Sequence, residues 1–178
     1  MTITLEQLQG WMDGREDEHI EFKEAKRQYD LTKLVSYCVA LANENGGKLI
    51  LGVTDKRPRQ VVGSQAFLDI GKTKRTLLDK LRLRVDIKVV QHPAGRVLVL
   101  VVPPRPVGYP LQNDGVYWMR SGESLVPMPP DHLQRIFTET GPDFSTETCP
   151  RATIADLDRA AMDWFRERWA QKSVTRHS

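Results

Sequence analysis

Leu49-Ile-Leu-Gly-Val53 presents apolar side chains to both faces of an extended chain, which is the pattern of a central, buried strand. A strand of this kind sits inside a sheet that other elements cover. The preceding sequence supplies one cover. Leu31, Leu34, Val35, Cys38, Val39 and Ala42 recur at helical spacing and predict a helix from Leu31 to about Glu44. Asp30 is its N-cap, and Asn45-Gly46-Gly47 ends it, because glycine adopts the left-handed C-cap conformation.

Around this unit the chain alternates between the two periods. Thr4 caps a short helix over Leu5 to Trp11 that stops at Gly14, and His19 to Lys23 reads as a strand. In that strand Ile20 and Phe22 face one way, while His19, Glu21 and Lys23 face the other. Val61 to Gly63 reads as a partner strand, and Ser64 to Leu81 as a second helix exposing Lys72, Lys74, Arg75 and Lys80. Val85 to Val90 and Arg96 to Val102 form a hairpin through Pro93-Ala-Gly95, and Asn113-Asp-Gly115 turns into a strand over Val116 to Arg120. A short helix covers Asp131 to Phe137.

The expected fold is α/β (α+β), a mixed β-sheet with flanking helices. The expected organisation is a domain over 1–138, a polar linker over 139–152 and a C-terminal helix over 153–178 that reads as the start of a truncated region. Thr153-Ile-Ala-Asp156 has capping-box form ahead of that helix, whose stripe of Leu157, Ala161, Trp164 and Phe165 calls for a partner surface.

Composition narrows the function classes. The longest apolar run, Val97 to Pro104, is too short to span a bilayer, and the N-terminus lacks a secretory pattern. Cys38 and Cys149 form no CxxC pair, and the four histidines show no ligand spacing, so a Cys-rich zinc site is excluded and a reducing cytoplasm is the expected location. The net charge of +3 hides an asymmetry: from Lys56 to Arg105 twelve Lys or Arg face three acids, which makes this segment +9. Such a segment favours a polyanionic partner, RNA or DNA rather than a membrane. Its candidate contacts are Lys56, Arg57, Arg59, Lys72, Lys74, Arg75, Lys80, Arg82 and Arg84.

Glu16 and Glu21 lie five apart, so Glu16 belongs in the turn before the strand, from which it can fold over toward Glu21. Asp55, at the end of the buried strand, is a third candidate if the two strands are neighbours. Three carboxylates without a basic partner repel one another and favour a divalent cation; hard oxygen donors suit Mg²⁺ or Mn²⁺. Such an ion can activate water and stabilise charge on a phosphoryl group, with Lys23 neutralising a phosphate oxygen. The competing reading makes all three acids ordinary surface and turn residues.

Gly71-Lys72-Thr73 is no phosphate-binding loop, because the motif needs glycine where Ala66 stands. Arg120 in Tyr117-Trp-Met-Arg-Ser-Gly122 either binds phosphate beside a base stacked on Tyr117 or Trp118, or pairs with an acid such as Glu123. Asn43, Asn45, Gly46 and Gly47 either shape an anion pocket or only end the helix.

Taken in order, Ile20-Glu-Phe-Lys23, Ala40-Leu-Ala-Asn43, Gly46-Gly47, Leu51-Gly-Val-Thr-Asp55 and Tyr117-Trp-Met-Arg-Ser-Gly122 resemble the Schlafen AlbA_2 domain over roughly Leu5 to Phe137. The resemblance implies an α/β domain found in bacterial proteins described as DNA-binding or ATP-binding transcriptional regulators. In animal Schlafen proteins the related core is a metal-dependent endoribonuclease acting on transfer and ribosomal RNA. The positions matching its acidic triad are Glu16, Glu21 and Asp55. The function expected from the resemblance and the basic segment together is Mg²⁺- or Mn²⁺-dependent cleavage of structured RNA such as tRNA. The alternatives are a non-catalytic DNA-binding module and a nucleotide-binding domain. Animal Schlafen cores join two related lobes into a groove, and a homodimer of this chain could rebuild it.

Overall fold

The part of the chain up to Gly141 is built around a four-stranded mixed sheet in the order β1-β2-β4-β3. Its strands are β1 (Ile20–Lys23), β2 (Gly47–Leu51), β3 (Asp86–His92) and β4 (Gly95–Val102). The computed structural model describes residues 2–15, 17–141 and 153–174; Glu16, most of the expected linker and residues 175–178 lie outside the described residues. The chain divides into two units, Met1–Gly141 and Pro142–Ser178.

β1 and β2 run parallel because α2 (Leu31–Asn43) returns the chain between them, and β2, β4 and β3 then pair antiparallel. The expected central strand is present and begins two residues earlier than its apolar run. Strand alternation sends Leu49 and Leu51, with Leu98, Leu100 and Val102, to a face covered by α2 and α3 (Ile70–Leu81). Ile50, Val97 and Val99 point the other way, where Phe22, Leu8 and Met12 meet them. Leu8 and Met12 belong to α1 (Leu5–Asp13), which opens with a reciprocal capping box between Thr4 and Gln7. Each fully buried side chain of this size stabilises the fold by roughly 1.5–3 kcal/mol.

Two expected elements are shorter than their sequence patterns. The second helix begins at Ile70 under an Asp69 cap, not at Ser64. Arg96 on β4 is the cause: its guanidinium donates to the Ser64, Ala66 and Phe67 carbonyls at 2.9–3.1 Å and holds that segment as a loop. The partner strand at Val61 contracts to a single bridge with Val53.

A second sheet pairs β5 (Trp118–Ser121) with β6 (Ser124–Pro127), the latter not anticipated, and α4 (Pro130–Phe137) follows it. Asn43 at the end of α2 positions this sheet. Its amide donates to the Leu111 and Trp118 carbonyls and accepts from the Leu111 N–H. The unit from Pro142 contains a short 3-10 turn, Ile154–Asp156, and α5 (Arg159–Val174); Leu157 between them and Trp164, Phe165 and Trp169 on α5 are exposed. Among the described residues no helix is long and apolar enough to cross a membrane.

Candidate functional site

Glu21 sits opposite Leu49 in the β1–β2 register and therefore points to the α2 side of the sheet, a position otherwise given to apolar residues. Its side chain is 2% exposed, so its charge requires partners inside the protein. Two arrive. Lys23, two residues along the same strand face, lies 2.5 Å from Glu21 Oε1, and Arg120 from β5 contacts Oε2 with a side chain 0% exposed. Tyr37 of α2 flanks both cations, its ring centre 5.4 Å from Lys23 Nζ and 5.8 Å from Arg120 Cζ.

Lys23 also reaches Asp55. Nζ donates to Asp55 Oδ2 at 2.8 Å, so Glu21 and Asp55 converge on one ammonium. Burial alone would lower the Lys23 pKa, but hydrogen bonds to Asp55 and Glu21 outweigh it and raise the pKa above the ordinary lysine value. The three residues open into a cleft of about 560 Å³ that is also lined by Arg15, Lys56, Arg57, Arg59 and Glu123.

The expectation that the acids lack a basic partner is therefore corrected. A divalent ion between Glu21 and Asp55 would meet the Lys23 ammonium, while Arg120 engages the second oxygen of Glu21. Among the described residues no group of three His, Cys, Asp or Glu is placed to hold a metal ion; Glu16 lies outside them. With Lys23 in this position the described residues do not fit Mg²⁺ or Mn²⁺.

The basic segment separates into two sets. Some of its cations serve the fold: Arg57 donates to the Asp13 and Gly14 carbonyls, and Arg59 to those of Met12 and Gly14, so that both close the C-terminus of α1. Lys74 and Lys88 share Asp86, and Arg105 grips Glu139 with two parallel hydrogen bonds of 2.7 and 2.6 Å. The others, Lys56, Lys72, Arg75, Lys80, Arg82 and Arg84, are exposed and have no ion-pair partner among the described residues. Five of these six lie on α3 or just after it.

Arg120 does not face solvent as a phosphate contact would require. It also differs from the expected pairing with the Glu123 side chain: it donates to the Glu123 carbonyl at 3.1 Å and reserves its charge for Glu21. The Asn43–Gly47 segment is equally committed. Asn43 is consumed by the β5 side, and a Cβ on Gly47 would lie 2.4 Å from the His19 carbonyl oxygen, so the glycine admits a close backbone crossing. No open phosphate cradle forms there.

A mixed sheet covered by helices, with a charged cleft where the parallel pair ends, defines an α+β domain with an open, charged edge. Residues 16–129 match the model of the family described as Schlafen, AlbA_2, and the chain belongs to that family. Among solved structures, the DIP2311 protein from Corynebacterium diphtheriae superposes with a TM-score of 0.59 at 21% identity, covering 92% of this chain and 37% of that one. This chain thus spans little more than a third of that protein. The N-terminal domain of a RecG-related protein from Nitrosomonas europaea aligns at 23% identity with a TM-score of 0.49, covering 89% of this chain and 97% of that domain. No curated protein matches the chain.

Proposed function

We propose that the unit preceding residue 142 binds nucleic acid through its phosphate backbone. The observation that carries this reading is the set of exposed cations without an ion-pair partner among the described residues: Lys72, Arg75, Lys80, Arg82 and Arg84 on and after α3, and Lys56 at the cleft. Cations already engaged by carboxylates gain little from a phosphate, whereas free ones release counterions when they bind one. The cleft lies on the edge strand β1, and α3 packs toward the other edge strand, β3. Four strands at ordinary spacing separate those edges by roughly 14 Å, a span that a few nucleotides can bridge. The test is a titration of labelled tRNA and duplex DNA across salt concentrations. Affinity falls steeply with salt; a flat response rejects the reading.

Endonucleolytic cleavage of structured RNA at the cleft is the second reading, favoured by the meeting of Glu21 and Asp55 at one site together with the family's animal members. It requires Lys23 to leave its shared position before Mg²⁺ or Mn²⁺ could be held by Glu21, Asp55 and Glu16. Labelled tRNA incubated with Mn²⁺ or chelator, beside Asp55→Ala, decides it. Uncut RNA at protein concentrations that bind it rejects cleavage, and cutting that survives Asp55→Ala places the activity elsewhere.

A further inference from the structure

We infer that Asp55 is a built-in competitor for the phosphate site at Lys23: the Lys23–Asp55 contact opens when a phosphodiester enters the cleft, and Lys23 then binds the phosphate while keeping Glu21. The inference rests on the nucleic-acid reading above and assigns Asp55 a role opposite to that of a ligand.

The two carboxylates on Lys23 are unequal. Glu21 is 2% exposed and also held by Arg120, so it cannot give up its cations without leaving a charge stranded in the interior. Asp55 is 46% exposed, and among the described residues Lys23 is its side chain's sole partner. A carboxylate this open to solvent holds its partner weakly, because water replaces the lost contact on the Asp55 side. One half of the bridge is permanent and the other exchangeable.

The surroundings favour the exchange. Arg15, Lys56, Arg57 and Arg59 line the same cleft and raise the local concentration of anions beside Lys23. A phosphodiester carries one negative charge, as does Asp55, so substituting one for the other leaves the charge around the Lys23 ammonium unchanged. The Tyr37 ring, 5.4 Å from Nζ, offers the ammonium a π face in either state.

The test is a double-mutant cycle read by anisotropy of labelled single-stranded RNA and DNA oligonucleotides in the presence of chelator. Asp55→Asn should tighten binding about two- to five-fold, the amount expected from removing an exposed competitor. Lys23→Met should weaken binding, and in its background Asp55→Asn should have no further effect. Glu24→Gln removes an equal charge nearby, from an acid that pairs with Lys26 instead, and should leave affinity near wild type. Lys23→Gln repeats the cycle with a polar side chain if Lys23→Met melts early. Equal affinities for wild type and Asp55→Asn, a gain that persists without Lys23, or an equal gain from Glu24→Gln would each overturn the competitor role while leaving nucleic-acid binding intact. No binding by any variant overturns both.

Discussion

Glu21 on β1 and Arg120 on β5 form an ion pair shut off from water, with side chains 2% and 0% exposed, and it joins the edge of the main sheet to the two-stranded sheet. Arg120→Met should lower the unfolding free energy by about 3 kcal/mol, because it leaves a buried carboxylate short of one cation. Glu21→Gln should cost a similar amount by stranding Arg120. In urea denaturation the double variant should lose clearly less than the sum of the two single losses; simple additivity would show that the pair is not a unit.

The division of the basic segment gives a second expectation. Arg75→Ala and Arg84→Ala should each reduce the slope of log affinity against log salt by about 1, with stability within about 0.5 kcal/mol of wild type. Arg96→Ala should do the reverse. It leaves three loop carbonyls without their donor, at a cost of about 1–3 kcal/mol, and keeps the salt slope.

Hydrogen bonds from Lys74 and Lys88 hold the Asp86 carboxyl at about 2, below its ordinary value of 3.8. A carboxyl depressed on folding stabilises the native state above its unfolded value and loses that contribution as pH falls through the folded one. The side chain is 42% exposed, so screening keeps the effect under about 1 kcal/mol. Urea midpoints of wild type and Asp86→Asn should differ slightly at pH 6, and the difference should shrink below about pH 4 and vanish only below about pH 2.

Gly47→Ala would place a methyl 2.4 Å from the His19 carbonyl and 2.8 Å from Leu41 Cδ2, where β1 and β2 begin to pair. The obstruction is backbone, which cannot rotate aside. A loss of about 3 kcal/mol, read as a lowered thermal midpoint, is expected.

Periodic signals made much of this fold legible. The 3.6-residue repeat of α2 and the two-faced apolar run of β2 determine the centre, and the alternation of Ile20 and Phe22 against Glu21 and Lys23 correctly sorts the faces of β1. The convergence of Glu21 and Asp55 on Lys23 follows from β1 and β2 being neighbours, since Lys23 ends β1 and Asp55 lies just past the end of β2. The partners of Glu21 were not legible. Strand alternation tells which side a residue faces, but not that an arginine from a distant hairpin will arrive there. Charge counting likewise could not separate Arg57, Arg59 and Arg96, which bind carbonyls, from Arg75 and Arg84, because that difference depends on where other segments end. The late start of α3 has the same origin in Arg96.

The tether from Arg57 and Arg59 to the end of α1 bears on how the domain can be cut at the level of the gene. The family match begins at residue 16, after α1 is complete. A clone trimmed to 16–129 would delete the Met12, Asp13 and Gly14 carbonyls that hold the segment following Asp55 and Lys56, and would uncover the face occupied by Leu8 and Met12. The smallest reading frame that preserves the cleft therefore starts no later than Thr4, whose cap begins the helix.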